Sequence, residues 1–221
     1  MSTEYTLAIE SATVRGSVAV LRGLEVVAVR EALMRIDDEE RLMPAVAACC
    51  DEAGVAPREL SRVVCGEGPG SFTSLRIAAS IAKGIAVAAG CPLFAVSSLL
   101  LTVGAAASAI PSGRYLSVLD AQRGDLFGLR VELAGGQVSA AGELEIFSAA
   151  ELADRAARAG ARVAGPEQVV GSWPHASGLA ALLPTVVQQG PEDLVTWEPV
   201  YGRAPEAQVR WEKAHGRPLG A

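Results

Sequence analysis

Two acidic residues and one glycine-rich turn carry most of the chemistry that this 221-residue sequence could host. Glu10 and Asp120 each end a short apolar segment, where a carboxylate can hold a divalent ion or position a nucleophile. Gly66, Gly68, Pro69 and Gly70 turn the chain sharply ahead of Ser71 and Thr73. Glycine belongs where the backbone takes positive φ or comes close to another group. With helix amides behind it, such a turn makes an anion cradle, and Ser71 or Thr73 is placed to cap the helix. The run lacks the Lys-Ser or Lys-Thr of a Walker loop, and Ser71 stands where GxGxxG has its third glycine. The spacing therefore leaves a phosphate cradle and a plain strand-to-helix turn both open. A ribonuclease-H-type nuclease would gather Glu10, a helix carboxylate (Glu40 or Asp51) and Glu67 around two metals. The two histidines, His175 and His215, lie far along the chain and read as surface residues.

These residues need elements to hold them. Segments 6–10, 17–22 and 26–31 are short, apolar and separated by turns at Arg15-Gly16 and Arg22-Gly23, which predicts an antiparallel meander. Asp37-Asp38-Glu39-Glu40 then opens a helix through about Ala53, with Asp37 or Asp38 as cap, Pro44 starting or kinking it and Gly54 stopping it. Its apolar face is Leu42, Met43, Val46 and Cys50. A buried strand at 63–65 leads into the glycine turn, and a helix from Thr73 ends at Gly90-Cys91-Pro92. On that helix Ala78, Ala82 and Ala86 form a ridge of small residues, with Ser80, Gly84 and Ala88 on a neighbouring face. Such a ridge lets another helix approach closely, while Ile77, Ile81 and Ile85 suit packing on a sheet. A strand at 93–96 and a helix from Ser97 or Ser98 to about Ala107 complete the order βββαβαβα. That order is the ribonuclease-H-like α/β arrangement, two copies of which make the actin-like (ASKHA) fold. Strands at 115–120, 126–133 and 162–164, a helix at 148–159 with a Ser148–Glu151 capping box, and helical 176–183 fill a reduced second copy. The expected subdomains are 1–108 and 109–221, the latter ending in a surface tail or docking segment.

Composition bounds the partners. Half of the residues are hydrophobic, enough for one large domain or two small ones. A net charge of −6 argues against unaided binding to a nucleic-acid backbone. The four cysteines have neither CxxC spacing nor a disulfide framework and read as reduced core residues of a cytoplasmic protein. No basic segment precedes an apolar one at the start, and no unbroken apolar run reaches the ~18 residues of a membrane span.

LAIESATVRGSVAVL, RLMPAV, GEGPGSFTSLRIAASIAKGIA, CPLFAVSSL and VLDAQRGDLF together resemble the TsaB (YeaZ) family of bacterial tRNA threonylcarbamoyladenosine biosynthesis proteins. The likeness runs from residue 6 to about 133 and resumes at EPVYGRAPEA. Glu10 stands where the family usually has Asp, Ser74 where Gly is usual, and Asp37-Asp38 in place of His-Ser. The resemblance implies a non-catalytic, actin-like scaffold that pairs with its paralogue TsaD, which transfers threonylcarbamoyl to adenosine 37 of tRNAs reading codons that begin with A. The ATPase TsaE would join the complex, tRNA would be reached only through it, and the free chain would form a homodimer. The metal-binding His-x-x-x-His pair of TsaD-like catalysts matches Ser98 and Thr102 here, so no metal and no catalytic residue are expected. No cofactor is implied for the isolated chain, and ATP or ADP at the boundary of the complex is left open. The implied interface comprises Leu42, Met43, Val46, Cys50, Leu75, Ala78, Ala79, Ala82 and Ala86. Gly66, Gly68, Pro69, Gly70, Ser71 and Thr73 form a structural loop. The rival readings are an ATP-dependent phosphotransferase of the actin and sugar-kinase superfamily and a metallopeptidase-like enzyme.

Overall fold

Alternation along β1 (Tyr5–Glu10) sends Leu7 and Ile9 into one apolar cluster and Ala8 into another, so this strand is buried on both faces. It pairs with β2 (Arg15–Arg22) antiparallel and with β4 (Leu60–Gly66) parallel, and the first sheet has the order β3-β2-β1-β4-β5. β3 (Glu25–Leu33) and β5 (Leu93–Val96) are its edges. The computed structural model describes residues 4–34, 40–203, 211 and 214–216.

The helices α1 (Leu42–Ala53) and α2 (Phe72–Ala89) pack on one face of this sheet and α3 (Ser98–Ala106) on the other. Both α1 and α2 end on glycines in the left-handed conformation, Gly54 and Gly90, as expected. The expected caps Asp37 and Asp38 lie outside the described residues. The Glu40 carboxylate accepts from the amides of Leu42 and Met43 at 2.5 and 3.0 Å. Pro44 sits in the first turn of α1, where its missing amide proton is harmless.

The second half repeats the plan. β6 (Gly113–Asp120), β7 (Asp125–Ala134) and β8 (Gln137–Ala140) form a meander, and β10 (Arg162–Gly165) and β11 (Val170–Gly171) lie parallel on the far side of β6. The order β11-β10-β6-β7-β8 mirrors that of the first sheet. The predicted strand positions hold, whereas β8, β9 (Glu145–Ser148) and β11 are additions that the sequence did not signal. The Ser148–Glu151 capping box forms and leads into α4 (Leu152–Ala159). Predicted helix 176–183 divides into a 3-10 segment, Ala176–Ala181, and α5 (Leu183–Gln189), with Pro184 in the first turn of α5. Between β10 and β11 a short turn replaces the helix that α2 provides in the first half, which is how the second copy is reduced.

One apolar cluster joins the two halves: Leu21 and Phe94 of the first sheet, Leu99 and Leu101 of α3, Leu129 and Val131 of the second sheet, and Leu179 and Val186 beyond. All four cysteines are buried and free, as expected of core residues.

Candidate functional site

Glu10 ends β1 with its carboxylate sealed inside the molecule. One oxygen accepts from the Ala12 amide and the other from the Ser98 hydroxyl, at 2.5 and 2.8 Å. Burial pushes this carboxyl up from 4.5 to about 7, against those bonds, which favour the ionised form. The glycine loop closes over it. A Cβ on Gly66 would lie 1.9 Å from the Glu10 carboxylate, so only glycine fits there.

Three of the loop amides are engaged within the chain. Glu67 donates to the Val96 carbonyl, Gly68 to the Ser98 hydroxyl and Ser71 to the Ala12 carbonyl. The expected cap is not made: the Ser71 hydroxyl accepts from Ser74 at 3.0 Å, and Thr73 is exposed. Leu75 packs beneath Gly68 and is fully buried. Residues 198–203, expected in a surface tail or docking segment, lie across the loop. The Val200 amide donates to the Glu67 carbonyl at 2.7 Å, Tyr201 packs on Phe72 with ring centroids 4.5 Å apart, and Arg203 pairs with Asp125. Residues 204–210 of that segment lie outside the described residues. The protein's own chain thus takes up the Glu67, Gly68 and Ser71 amides of the cradle that the spacing allowed.

The expected acids are not brought together. Asp120 is exposed and accepts from the Gln122 amide at a turn, Glu40 caps α1, and Asp51 is exposed. Burial raises the Glu67 carboxyl, with Glu192 adding to the shift. Among the described residues no group of three or more His, Cys, Asp or Glu side chains is placed to hold a metal. Ser98 and Thr102, at the positions of the His pair, are fully buried on α3, and Thr102 donates to the Ser98 carbonyl. His175 accepts from the Ser177 amide and His215 bonds the Trp211 carbonyl.

The helical surface differs from the expected one. Ala78, Ala82 and Ala86 are 0%, 0% and 1% exposed and lie against the sheet, with Ala79 and Leu75 buried beside them. Alanine lets the α2 axis come close to the strands, and the bulkier Ile77, Ile81 and Ile85 are displaced to the flank, where they are half-buried. Leu42, Val46 and Cys50 of α1 are likewise turned into the core, and of its expected interface residues only Met43, 44% exposed, faces outward. The outward stripe of α2 is Thr73, Arg76, Ser80, Gly84, Val87 and Ala88. A Cβ on Gly84 would meet nothing within 4 Å. A cavity of about 480 Å³ runs beside this stripe, from Glu40 past Phe72 and Arg76 to Ile81. Arg76 and Ser80 were the sequence signal for this orientation, since polar side chains mark the solvent side of a helix. Among the described residues, α2 alone is long and apolar enough, with a mean hydropathy of 1.3, to cross a membrane, but its alanine face is committed to the sheet.

The family model for TsaD, tRNA N6-adenosine threonylcarbamoyltransferase, matches residues 36–190. The tRNA threonylcarbamoyladenosine biosynthesis proteins TsaB of Bacillus subtilis and Escherichia coli are 34% and 33% identical to the chain over 121 residues, which is 55% of this chain and 52% of each relative. The chain thus spans about half the length of the curated relatives it matches. YeaZ from Pseudomonas aeruginosa superposes with a TM-score of 0.73 at 25% identity, covering 90% of this chain and 99% of that one.

Proposed function

The chain belongs to the TsaD and TsaB (YeaZ) family, and from that premise we propose that it serves tRNA threonylcarbamoyladenosine biosynthesis as a scaffold, docking on a TsaD-type catalytic partner through α1 and α2. The observation that carries this reading is the outward ridge Ser80–Gly84–Ala88. A glycine inside an exposed helix destabilises it by about 1 kcal/mol relative to alanine. Among the described residues nothing occupies the space beside Gly84, whereas a second helix laid against the ridge would use it. Met43 and Val87, 44% and 67% exposed, would add apolar area toward the ~800 Å² per partner of a standard contact.

A non-catalytic role is supported by how the chain's polar groups are used. Ser98 and Thr102 are committed to internal hydrogen bonds, and Glu10 is enclosed by the loop that an enzyme of this fold would keep open. In this reading TsaE joins the assembly, tRNA is met only through it, any nucleotide sits at the shared boundary, and the free chain pairs with itself through the same helices. Gly84→Arg tests the docking. The variant should melt no lower than the wild type, because the new side chain points to open space and removes a helix glycine, and should no longer co-elute with the TsaD-type partner. Retained co-elution would sink the helical docking.

A further inference from the structure

On the outer face of the second sheet, β6, β7, β9 and α4 enclose a cavity of about 310 Å³ with Leu116 and Phe147 as its floor and Arg130, Glu145, Arg155 and Arg158 on its rim. Phe147 presses so closely on β7 that a Cβ on Gly128 would come within 2.3 Å of its ring. The Arg155 guanidinium lies 4.5 Å from the centre of that ring. It pairs with Glu145 and, at 3.6 Å, with Glu151, yet its Nε is buried and finds no acceptor.

An ion network pinning α4 to β9 accounts for Arg155, Glu145 and Glu151. It does not account for the other two arginines. Among the described residues neither Arg130 nor Arg158 has a carboxylate partner: Arg158 Nε donates to the Asp154 carbonyl at 3.3 Å, and the Arg130 guanidinium lies against Gly142. Three guanidinium groups thus line one small cavity with a single carboxylate, in a chain whose net charge is −6. Like charges gathered this way repel unless an anion joins them. Guanidinium forks match phosphate oxygens in geometry and charge, and the volume is that of a small-ligand pocket.

The geometry points to a binding site for a small molecule bearing a terminal phosphate, held between Arg130 and Arg158 with Arg155 and Phe147 behind it. The shared chemistry is the phosphate dianion, whether inorganic or carried by a nucleotide. The test is calorimetric titration of the full chain with inorganic pyrophosphate and, separately, with adenosine 5′-monophosphate, beside Arg130→Gln and Arg158→Gln. Saturable binding of either probe is expected, stronger for the monophosphate if a nucleoside adds contacts. Loss of one charge-assisted hydrogen-bonding side chain should weaken it about tenfold in each variant. Both side chains are exposed, so the melting temperatures should not move. Absence of saturable binding, or equal binding by the variants, would overturn the site. So would capture of a short oligoribonucleotide lacking a terminal phosphate when neither small probe binds, since that would make the surface an RNA contact.

Discussion

Glu10 sets a pH dependence that a single substitution can isolate. Because burial raises its carboxyl from 4.5 to about 7, the folded chain holds this proton more tightly than the unfolded one. Its contribution to stability is full below about pH 4.5 and is lost as pH rises through about 7. The difference is on the order of 3 kcal/mol. Thermal melts at pH 5 and pH 8 should therefore show the wild type losing stability toward pH 8 relative to Glu10→Gln, which keeps the volume and an acceptor for Ala12 but cannot ionise. Parallel curves would remove the effect. Gly66→Ala drives a methyl into the Glu10 carboxylate and should destabilise by roughly 2–4 kcal/mol in denaturant unfolding. Adding Glu10→Ala should restore part of that, because the atoms struck are then gone. An acid at the end of β1 was legible in the sequence. That it would be enclosed was not, because Ser98, which donates to it, lies 88 residues away in the chain.

The helix α2 shows how far periodicity reaches. It fixed the helix and its stop at Gly90, but two neighbouring stripes of small residues fit close packing equally well, and alanine serves a sheet as readily as a helix. Arg76 and Ser80 decide between them, because neither can be turned toward the strands unpaired. Two substitutions one turn apart should separate the faces. Ala82→Leu overfills the space against the sheet and should cost about 1–3 kcal/mol of stability. Gly84→Ala should gain about 1 kcal/mol in the isolated chain while weakening docking on a TsaD-type partner, since its methyl enters the space the partner would use. Urea melts and a binding titration on the same samples check both. A Gly84→Ala chain that is no more stable would contradict the free space beside that residue.

At the scale of the whole molecule, the core spanning both halves argues against independent folding. A fragment of residues 1–108 would leave Leu99, Leu101 and Val103 of α3 without the second sheet they pack on, and it should show no cooperative thermal transition. The intact chain should unfold in one. Three strands of the second sheet, β6, β7 and β10, were readable in the sequence, whereas the short β8, β9 and β11 carried too few residues to signal themselves. The sheet's arginine-lined cavity was not readable either, as the three side chains come from a strand and a helix separated by two further strands. A plan used twice need not be filled twice: where the first half spends eighteen residues of helix on its sheet, the second spends almost none and keeps only α4 as a roof. Under that roof, over β6, β7 and β9, the hollow opens toward solvent and has room for something from outside.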